Sequence, residues 1–301
     1  MVPKECRLLA HVRLGQGKEI LYLHGWGCTK EVFALRETPS FCLTAVDFYG
    51  FGESPAPSVP VDLQYFADGV DEVMRRYNME DVVVVAHSFG ARVAVRLATQ
   101  STRIAGLVLV GAAGMKPRRT ARYYLRIARA KWYALWGLPR PQGRADYEAT
   151  SGAERRTFVN IIHTYQEKEV REIRVPVLLV WGTADRETPP YMLRRYERLL
   201  RNSRTVLFEG RGHFCFAEEP QRFDAIVKEF ALCTTAGENP SAECGEIRGN
   251  ASGKIRSAAR EKSALTASGK NLPEAGGGRP DGANDHSLHE GRGANGEEGE
   301  S

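Results

Sequence analysis

Four consecutive valines lead toward a serine that has a small residue two positions before it and another two positions after it, in the segment Val82–Gly90. A short β-branched run bounded by small residues predicts a buried strand, and the apolar spacing that follows as far as Thr99 predicts a helix. Ser88 then lies on the sharp turn between them, with its hydroxyl exposed on strained backbone. Such a turn needs small residues two before and two after the serine, and Ala86 and Gly90 meet that need. Taken alone, the segment is also compatible with a buried serine at a strand end.

Two later loops carry the acid and the base that a nucleophilic serine requires. Val175–Trp181 predicts a buried strand, and Asp185 lies on the loop that follows it. Thr205–Phe208 predicts the next strand, and His213 follows that one. Because the carboxyl ends of parallel strands share one edge of a sheet, where ligands bind in open α/β folds, we expect both side chains beside Ser88.

An early loop has the composition of an oxyanion site. Ile20–Leu23 predicts a strand, and the Gly-rich loop His24–Gly27 follows it. Backbone N–H groups that are positioned in advance stabilise the negative oxygen of an acyl-transfer transition state. The candidate donors are the N–H groups of Trp26 and of Phe89. His24 has a competing catalytic interpretation, although the later histidine fits the role of base better.

These segments together resemble the α/β-hydrolase fold superfamily, over roughly residues 6–233. The matching segments are His24–Gly27, Asp47–Ser54, Ala86–Gly90, Trp181–Asp185 and Gly212–Phe214. The resemblance implies an α/β fold with a mostly parallel central sheet, flanking helices and a helical cap insertion. It implies Ser88 as nucleophile, Asp185 as acid and His213 as base. It argues against haloalkane dehalogenases and epoxide hydrolases, whose nucleophile is an aspartate at the position of Ser88. Ala86 departs from the usual G-x-S-x-G pattern.

The chain divides into three predicted parts. Residues 1–113 and 175–233 carry the α/β rhythm of a hydrolase core, and that rhythm stops over residues 114–174, where the family places its cap. Residues 234–301 contain no Phe, Trp or Tyr and are rich in Gly, Ala, Ser and charges. Such a composition cannot bury enough apolar surface to offset its chain entropy, which predicts a disordered tail.

The predicted cap contains a strongly basic run. Between Lys116 and Lys131 there are seven Lys or Arg and no acid. Four of them share one face of a helix, and aromatic residues fall on another face. The basic residues on that face are Arg119, Arg122, Arg126 and Arg129. The pattern is typical of a solvated outer face, or of contact with an acidic carrier protein or an anionic membrane surface. Nucleic acid is disfavoured, since no binding motif accompanies the charge.

The sequence has no motif for a metal or a nucleotide. It contains no CxxC, no HExxH and no P-loop, so no metal site and no cofactor is implied. No signal peptide precedes the first strand and no apolar run approaches about 18 residues, so we expect neither export nor a membrane span. The six scattered cysteines then favour reduced thiols in the cytoplasm.

The combined pattern predicts a serine hydrolase that cleaves an ester or related acyl bond in a small-molecule acyl substrate. Carboxylesterases, acylglycerol lipases, carbon–carbon bond hydrolases and pimeloyl-carrier methyl esterases all share the resemblance. The His-Gly-Trp-Gly run and the basic cap lean toward the last, because a carrier protein is acidic. A ligand-binding, receptor-like protein on the same fold is the alternative from another class. The complete set of three residues argues against it, since binding alone does not require them.

Overall fold

The computed structural model describes residues 8–118, 152–234 and 256–257, all within the compact unit Met1–Lys262. Among these residues, eight strands form one sheet in the order β1-β3-β2-β4-β5-β6-β7-β8. The strands are β1 His11–Gly15, β2 Lys18–Leu23, β3 Phe41–Val46, β4 Val82–His87, β5 Ile104–Val110, β6 Val177–Gly182, β7 Ser203–Phe208 and β8 Arg256–Ser257. The two outermost strands are antiparallel to their neighbours, and the others are parallel. The predicted α/β fold class is confirmed.

Helices cover both faces of the sheet. They are a 3₁₀ turn at Lys30–Phe33 and the α-helices α1 Leu63–Arg76, α2 Phe89–Ala98, α3 Gly152–Ile162, α4 Glu167–Glu172, α5 Pro190–Leu199, α6 Cys215–Glu218 and α7 Pro220–Leu232. The first helix begins at a side-chain cap, because the Asp62 carboxylate accepts a hydrogen bond from Tyr65 N at 3.1 Å. No helix in the described ranges combines the length and the hydropathy needed to cross a bilayer.

Successive side chains of the central strands pack into two hydrophobic cores, one on each face of the sheet. Val82 and Val84 of β4 belong to the core that includes α1 and α2. Val83 and Val85 belong to the core that includes α7. A parallel strand covered on both faces reads as a continuous apolar run rather than an alternating one, which explains the four valines.

The parallel strands bring four loops to one edge of the sheet. His24 follows β2, Ser88 follows β4, Asp185 follows β6 and His213 follows β7. Each of these strands ends at the same edge, since their pairings are parallel. The topology therefore places all four side chains at the carboxyl edge, where α/β folds bind ligands.

A buried carboxylate fixes the loop that follows β3. The Asp47 side chain has no exposed surface and accepts from Lys30 N and Lys30 Nζ, each at 2.7 Å, and from Glu53 N at 3.0 Å. Ser54 Oγ donates to the Asp47 carbonyl oxygen at 2.7 Å. The Asp47–Ser54 segment is therefore held by a buried ion pair with its hydrogen bonds satisfied.

Replacing Asp47 with alanine should lower the free energy of unfolding by about 3 kcal/mol, because two backbone N–H groups lose their acceptor and the Lys30 ammonium loses its only buried carboxylate partner among the described residues. Urea denaturation measures this. The control is Glu31→Ala, which removes a carboxylate that also pairs with Lys30, at 2.9 Å, but is 65% exposed. That change should cost less than about 1 kcal/mol. Equal small losses in both variants would contradict the structural role given to Asp47.

The predicted cap and tail fall largely outside the described residues. Residues 119–151 of the predicted cap lie outside the described residues. In the predicted tail, only Thr234 and the two residues of β8 are described. Composition predicts Thr234 as the first tail residue, but it is fully buried. Its hydroxyl donates to Phe230 O at 2.7 Å, and its carbonyl oxygen accepts from Lys18 Nζ. The packed chain therefore extends beyond the predicted boundary at residue 233.

The described cysteines differ in state. Cys42 and Cys215 are buried free thiols, and Cys28 is half-buried and forms no disulfide within the described residues. Cys233 is disulfide-bonded. The expectation of reduced thiols is therefore wrong at Cys233.

Candidate active site

Ser88 occupies a strained turn between β4 and α2. Its backbone has φ 49° and ψ −104°, which is uncommon for a residue with a side chain. The turn is tied to the neighbouring strand end, since Ser88 N donates to Val110 O at 3.0 Å and Ala113 N donates to Ser88 O at 3.2 Å. The hydroxyl makes no capping bond to α2, and the residue is half-exposed. It is therefore available to react at the edge of the sheet.

Two glycines permit the close packing around this turn. A Cβ on Gly90 would lie 2.4 Å from Leu23 O, so the position two residues after Ser88 accepts only glycine. A Cβ on Gly25 would lie 3.5 Å from Ser88 Cβ. The loop after β2 therefore passes directly over the serine, as an oxyanion loop must.

His213 is paired with a buried carboxylate. His213 Nδ1 lies 2.8 Å from Asp185 Oδ2, and the Asp185 side chain has no exposed surface. Because an ionised carboxylate only accepts, the proton lies on Nδ1 and leaves Nε2 free to accept another. Among the described residues, no hydrogen bond joins the Ser88 hydroxyl to His213. Catalytic hydrogen bonds are often long without substrate and tighten when it binds.

Asp185 remains ionised despite its burial. Burial raises the pKa of its carboxyl, but hydrogen bonds from His213 and Thr188 outweigh burial and hold the pKa below its ordinary value. Two backbone N–H groups, of Glu187 and Thr188, donate to Oδ1 at 2.8 and 2.9 Å. The charge needed to stabilise an imidazolium is therefore built into the folded protein.

Thr188 is a site residue that sequence reasoning missed. Its hydroxyl lies 2.7 Å from Asp185 Oδ2 and 3.0 Å from Gly111 O. Both oxygens accept, and the shorter distance and the negative charge favour donation of the one hydroxyl proton to the carboxylate. The Thr188 carbonyl oxygen accepts from Trp181 Nε1 at 2.7 Å, which anchors the loop to β6. The spacing of a threonine three residues after the aspartate is the signal that could have found it.

Changing Thr188 to valine should lower the free energy of unfolding by about 2 kcal/mol, because a buried carboxylate loses a donor without a change of side-chain shape. Turnover should also fall, by less than on loss of the carboxylate itself. Thermal or urea denaturation with parallel kinetics checks both. The exposed Thr102→Val is the matched control. If both valine variants are equally stable and active, Thr188 does not support Asp185.

His24 has no ring nitrogen left for proton transfer. Its Nδ1 lies 2.7 Å from Gly25 O, and its Nε2 accepts from Phe48 N at 3.0 Å. The side chain is fully buried, and burial lowers its pKa. The competing catalytic interpretation of His24 is therefore unsupported, and its hydrogen bonds shape the loop after β2.

The two candidate oxyanion donors lie within an aromatic cluster. The Trp26 ring contacts the rings of Phe51, Phe89 and Phe158, with centroids 5.0, 5.2 and 5.0 Å apart. In the described part of the chain, the backbone N–H groups of Trp26 and Phe89 have no acceptor. Two such donors beside a serine turn suit a developing oxyanion, and the rings supply an apolar wall.

The last part of the predicted cap is fixed to the helix that starts at the serine. Arg92 of α2 is buried, and its guanidinium donates to the carbonyl oxygens of Ile161, at 3.0 Å, and of Thr164. One turn earlier in α3, Val61 N donates to Thr157 Oγ1 at 2.9 Å. The position of α3, and of the Phe158 ring it carries, is therefore set by the core.

Comparison with known proteins agrees with this architecture. A family model described as the alpha/beta hydrolase family matches residues 20–226. The chain belongs to the alpha/beta hydrolase family. The prediction that it is a hydrolase is confirmed by that membership.

Relatives and solved structures span most of the chain. The AB hydrolase superfamily protein YisY of Bacillus subtilis is 26% identical over 249 residues, which is 72% of this chain and 93% of that protein. A pimeloyl-[acyl-carrier protein] methyl ester esterase of Photorhabdus laumondii is 25% identical, covering 71% and 92%. The structure of an esterase from Exiguobacterium antarcticum has a TM-score of 0.61 at 20% identity, covering 74% and 95%. The structural likeness shows the fold.

Proposed function

We propose that this alpha/beta hydrolase cleaves an ester or related acyl bond through Ser88, His213 and Asp185. The observation that carries the proposal is the 2.8 Å pair of His213 Nδ1 and Asp185 Oδ2 at the same sheet edge as a serine on strained backbone. A nucleophile, a base and a group that orients the base are the parts that acyl transfer requires.

The chemistry proceeds in two halves. Ser88 Oγ attacks the carbonyl carbon while His213 Nε2 takes its proton, and the N–H groups of Trp26 and Phe89 stabilise the oxyanion. The imidazolium returns the proton to the leaving alcohol oxygen as the carbon–oxygen bond breaks, which leaves an acyl group on Ser88. Water then attacks that acyl group while His213 takes a proton from the water. His213 gives this proton to Ser88 Oγ as the acyl group leaves as the acid. Asp185 remains ionised and stabilises the imidazolium in both halves.

A small acyl substrate fits the apolar wall around the serine. Trp26, Phe51 and Phe158 would contact the acyl chain. The test is turnover of p-nitrophenyl esters of increasing acyl length, run beside a carbon–carbon ring-cleavage substrate. Ester turnover supports the proposal, and cleavage of the ring-cleavage substrate alone supports a carbon–carbon hydrolase. Binding without turnover of either supports the receptor-like alternative.

A carrier-bound ester is the second candidate substrate. Two observations favour it: one relative is named a pimeloyl-[acyl-carrier protein] methyl ester esterase, and the run from Lys116 to Lys131 is basic. Within the described residues, the Arg118 guanidinium lies over the Tyr191 ring at 4.9 Å. Cationic side chains beside the insertion would suit an acidic carrier protein.

Joint change of Arg119, Arg122, Arg126 and Arg129 to glutamine should slow reaction with an ester on acyl carrier protein and leave a small neutral ester unaffected. The slowing should shrink as salt rises, since exposed charges are screened beyond about 8 Å at physiological ionic strength. Steady-state kinetics at low and high salt measure this, with anionic vesicles as a second partner. The control changes Arg75 and Arg76. These residues lie near the amino ends of the parallel strands, away from the carboxyl edge that carries Ser88, because α1 ends just before β4 begins. If wild type, the four-arginine variant and the control have equal kinetics at low salt, the remaining interpretation of the basic run is a solvated outer face.

A further inference from the structure

The residue before the serine, His87, is buried against the proposed base. It ends β4 and is only 1% exposed. Its ring lies against the ring of His213, with centroids 4.6 Å apart, and against Phe214 and Phe216, each at 4.9 Å. The proposed reaction assigns this imidazole no task, although it is in direct contact with the catalytic one.

The hydrogen bonds of His87 fix its tautomer. Its Nε2 lies 3.1 Å from the carbonyl oxygen of His213. A carbonyl oxygen only accepts, so Nε2 carries the proton and Nδ1 is a bare lone pair. Within the described residues, Nδ1 is buried with no hydrogen-bond partner, and a Cβ on Gly25 would lie only 2.8 Å from it. A buried acceptor without a partner is costly, so its retention needs a reason.

His87 stays neutral near neutral pH. Burial, with a smaller contribution from the charge of His213, lowers the pKa of His87 to about 3. The other titratable groups that act on it are Asp185, on the loop after β6, and His24, on the loop after β2. The influence of His87 on the site is therefore steric and through its hydrogen bond, and does not come from a change in its own charge.

Other described hydrogen bonds hold the β7 loop on both sides of its histidine. After His213, Ala217 N and Glu218 N donate to Phe214 O at 2.8 and 3.1 Å, and before it further bonds fix the main chain. Ala184 N donates to Arg211 O at 2.9 Å, and Gly212 N donates to Glu218 Oε1 at 2.9 Å. The bond from His87 is made at His213 itself. It therefore acts on the main chain that carries the base.

We propose that His87 is a positioning residue for His213, an inference that rests on the proposed function. Its Nε2–H holds the His213 carbonyl, and its ring supports one face of the His213 imidazole. Together these two contacts keep His213 Nδ1 on Asp185 and direct His213 Nε2 toward Ser88.

Two substitutions separate the donor from the ring. His87→Phe keeps a ring without a donor, and His87→Gln keeps an amide N–H near the position of Nε2. We expect His87→Phe to lower kcat by roughly tenfold to a hundredfold, because small displacements of a catalytic group are costly. KM should change little. His87→Gln should recover most of kcat. The exposed His163→Phe is the control and should behave as wild type.

Two further readouts detect positioning itself. The acid limb of kcat/KM reports the protonation of the free enzyme's base. In His87→Phe it should move to lower pH, because an imidazolium that contacts Asp185 less well is less stable. The low-field proton NMR signal of the His213 Nδ1–H should weaken in His87→Phe and persist in His87→Gln.

Wild-type kcat and an unchanged low-field signal in His87→Phe would overturn the proposal. So would a folded His87→Gln that is as impaired as His87→Phe. If His87→Phe does not fold, the glutamine variant decides, since the proposal requires it to keep both the signal and most of kcat. Failure of the proposed function looks different. The wild type would then turn over no ester, while the NMR comparison would still show whether His87 holds His213.

Discussion

Ser88→Ala should lower turnover of a neutral ester by about 10⁵-fold or more, because the hydroxyl oxygen forms the bond to the acyl carbon. Binding of the ester should persist, since the aromatic wall and the oxyanion donors are unchanged. Alanine and serine meet the positive φ with the same Cβ, so the stability of the fold should change little. Steady-state kinetics with thermal denaturation measure both quantities, and the exposed Ser58→Ala is the control.

The losses of turnover caused by substitutions within the proposed triad should not combine as independent effects. Ser88→Ala combined with His213→Ala should be no slower than Ser88→Ala alone, because the base has no function without the nucleophile. A double variant whose loss equals the product of the single losses would mean that the two residues act independently. That result would contradict the shared mechanism.

Asp185→Asn should lower kcat by about 10⁴-fold, because an amide can donate to His213 Nδ1 and so stabilise the wrong tautomer. Burial and shape are nearly preserved, so the fold should survive. The exposed Asp81→Asn is the control and should retain wild-type kcat. If Asp185→Asn is as active as that control, the pair at 2.8 Å is structural rather than catalytic.

The same substitution has a pH signature. The pKa of Asp185 is lower in the folded protein than its ordinary value, so ionisation favours folding above the unfolded pKa. That stabilisation is lost as the pH falls through the folded pKa. Asp185→Asn should therefore be less stable than wild type at neutral pH, and the difference should shrink in acid. Urea denaturation at neutral and acid pH measures it.

Local pattern predicts much of this site. The run Val82–Val85 predicts a strand, because a strand that is buried on both faces is apolar at every position. Gly90 predicts a close approach of α2 to the end of β2, because no other residue fits beside the Leu23 carbonyl oxygen. The order of Ser88, Asp185 and His213 along the chain follows from the order of the strands. These features depend on neighbours in sequence or on the parallel topology.

Other features depend on contacts that sequence does not encode locally. His87 faces His213 across 126 positions of the chain, so its hydrogen bond cannot be inferred from the motif that contains it. Thr234 is buried because its methyl group packs over Gly106, where a Cβ would lie 2.9 Å away. Composition places that threonine in the tail, whereas packing places it in the core.

Covalent labelling tests the central claim most directly. Full-length wild-type protein is incubated with a fluorophosphonate, and the adduct is located by intact mass and peptide sequencing. The proposed mechanism predicts one adduct on Ser88, slowed by His213→Ala and lost in Ser88→Ala. A folded wild-type protein that carries no adduct on Ser88, or a Ser88→Ala protein that is labelled as fast as wild type, would contradict it.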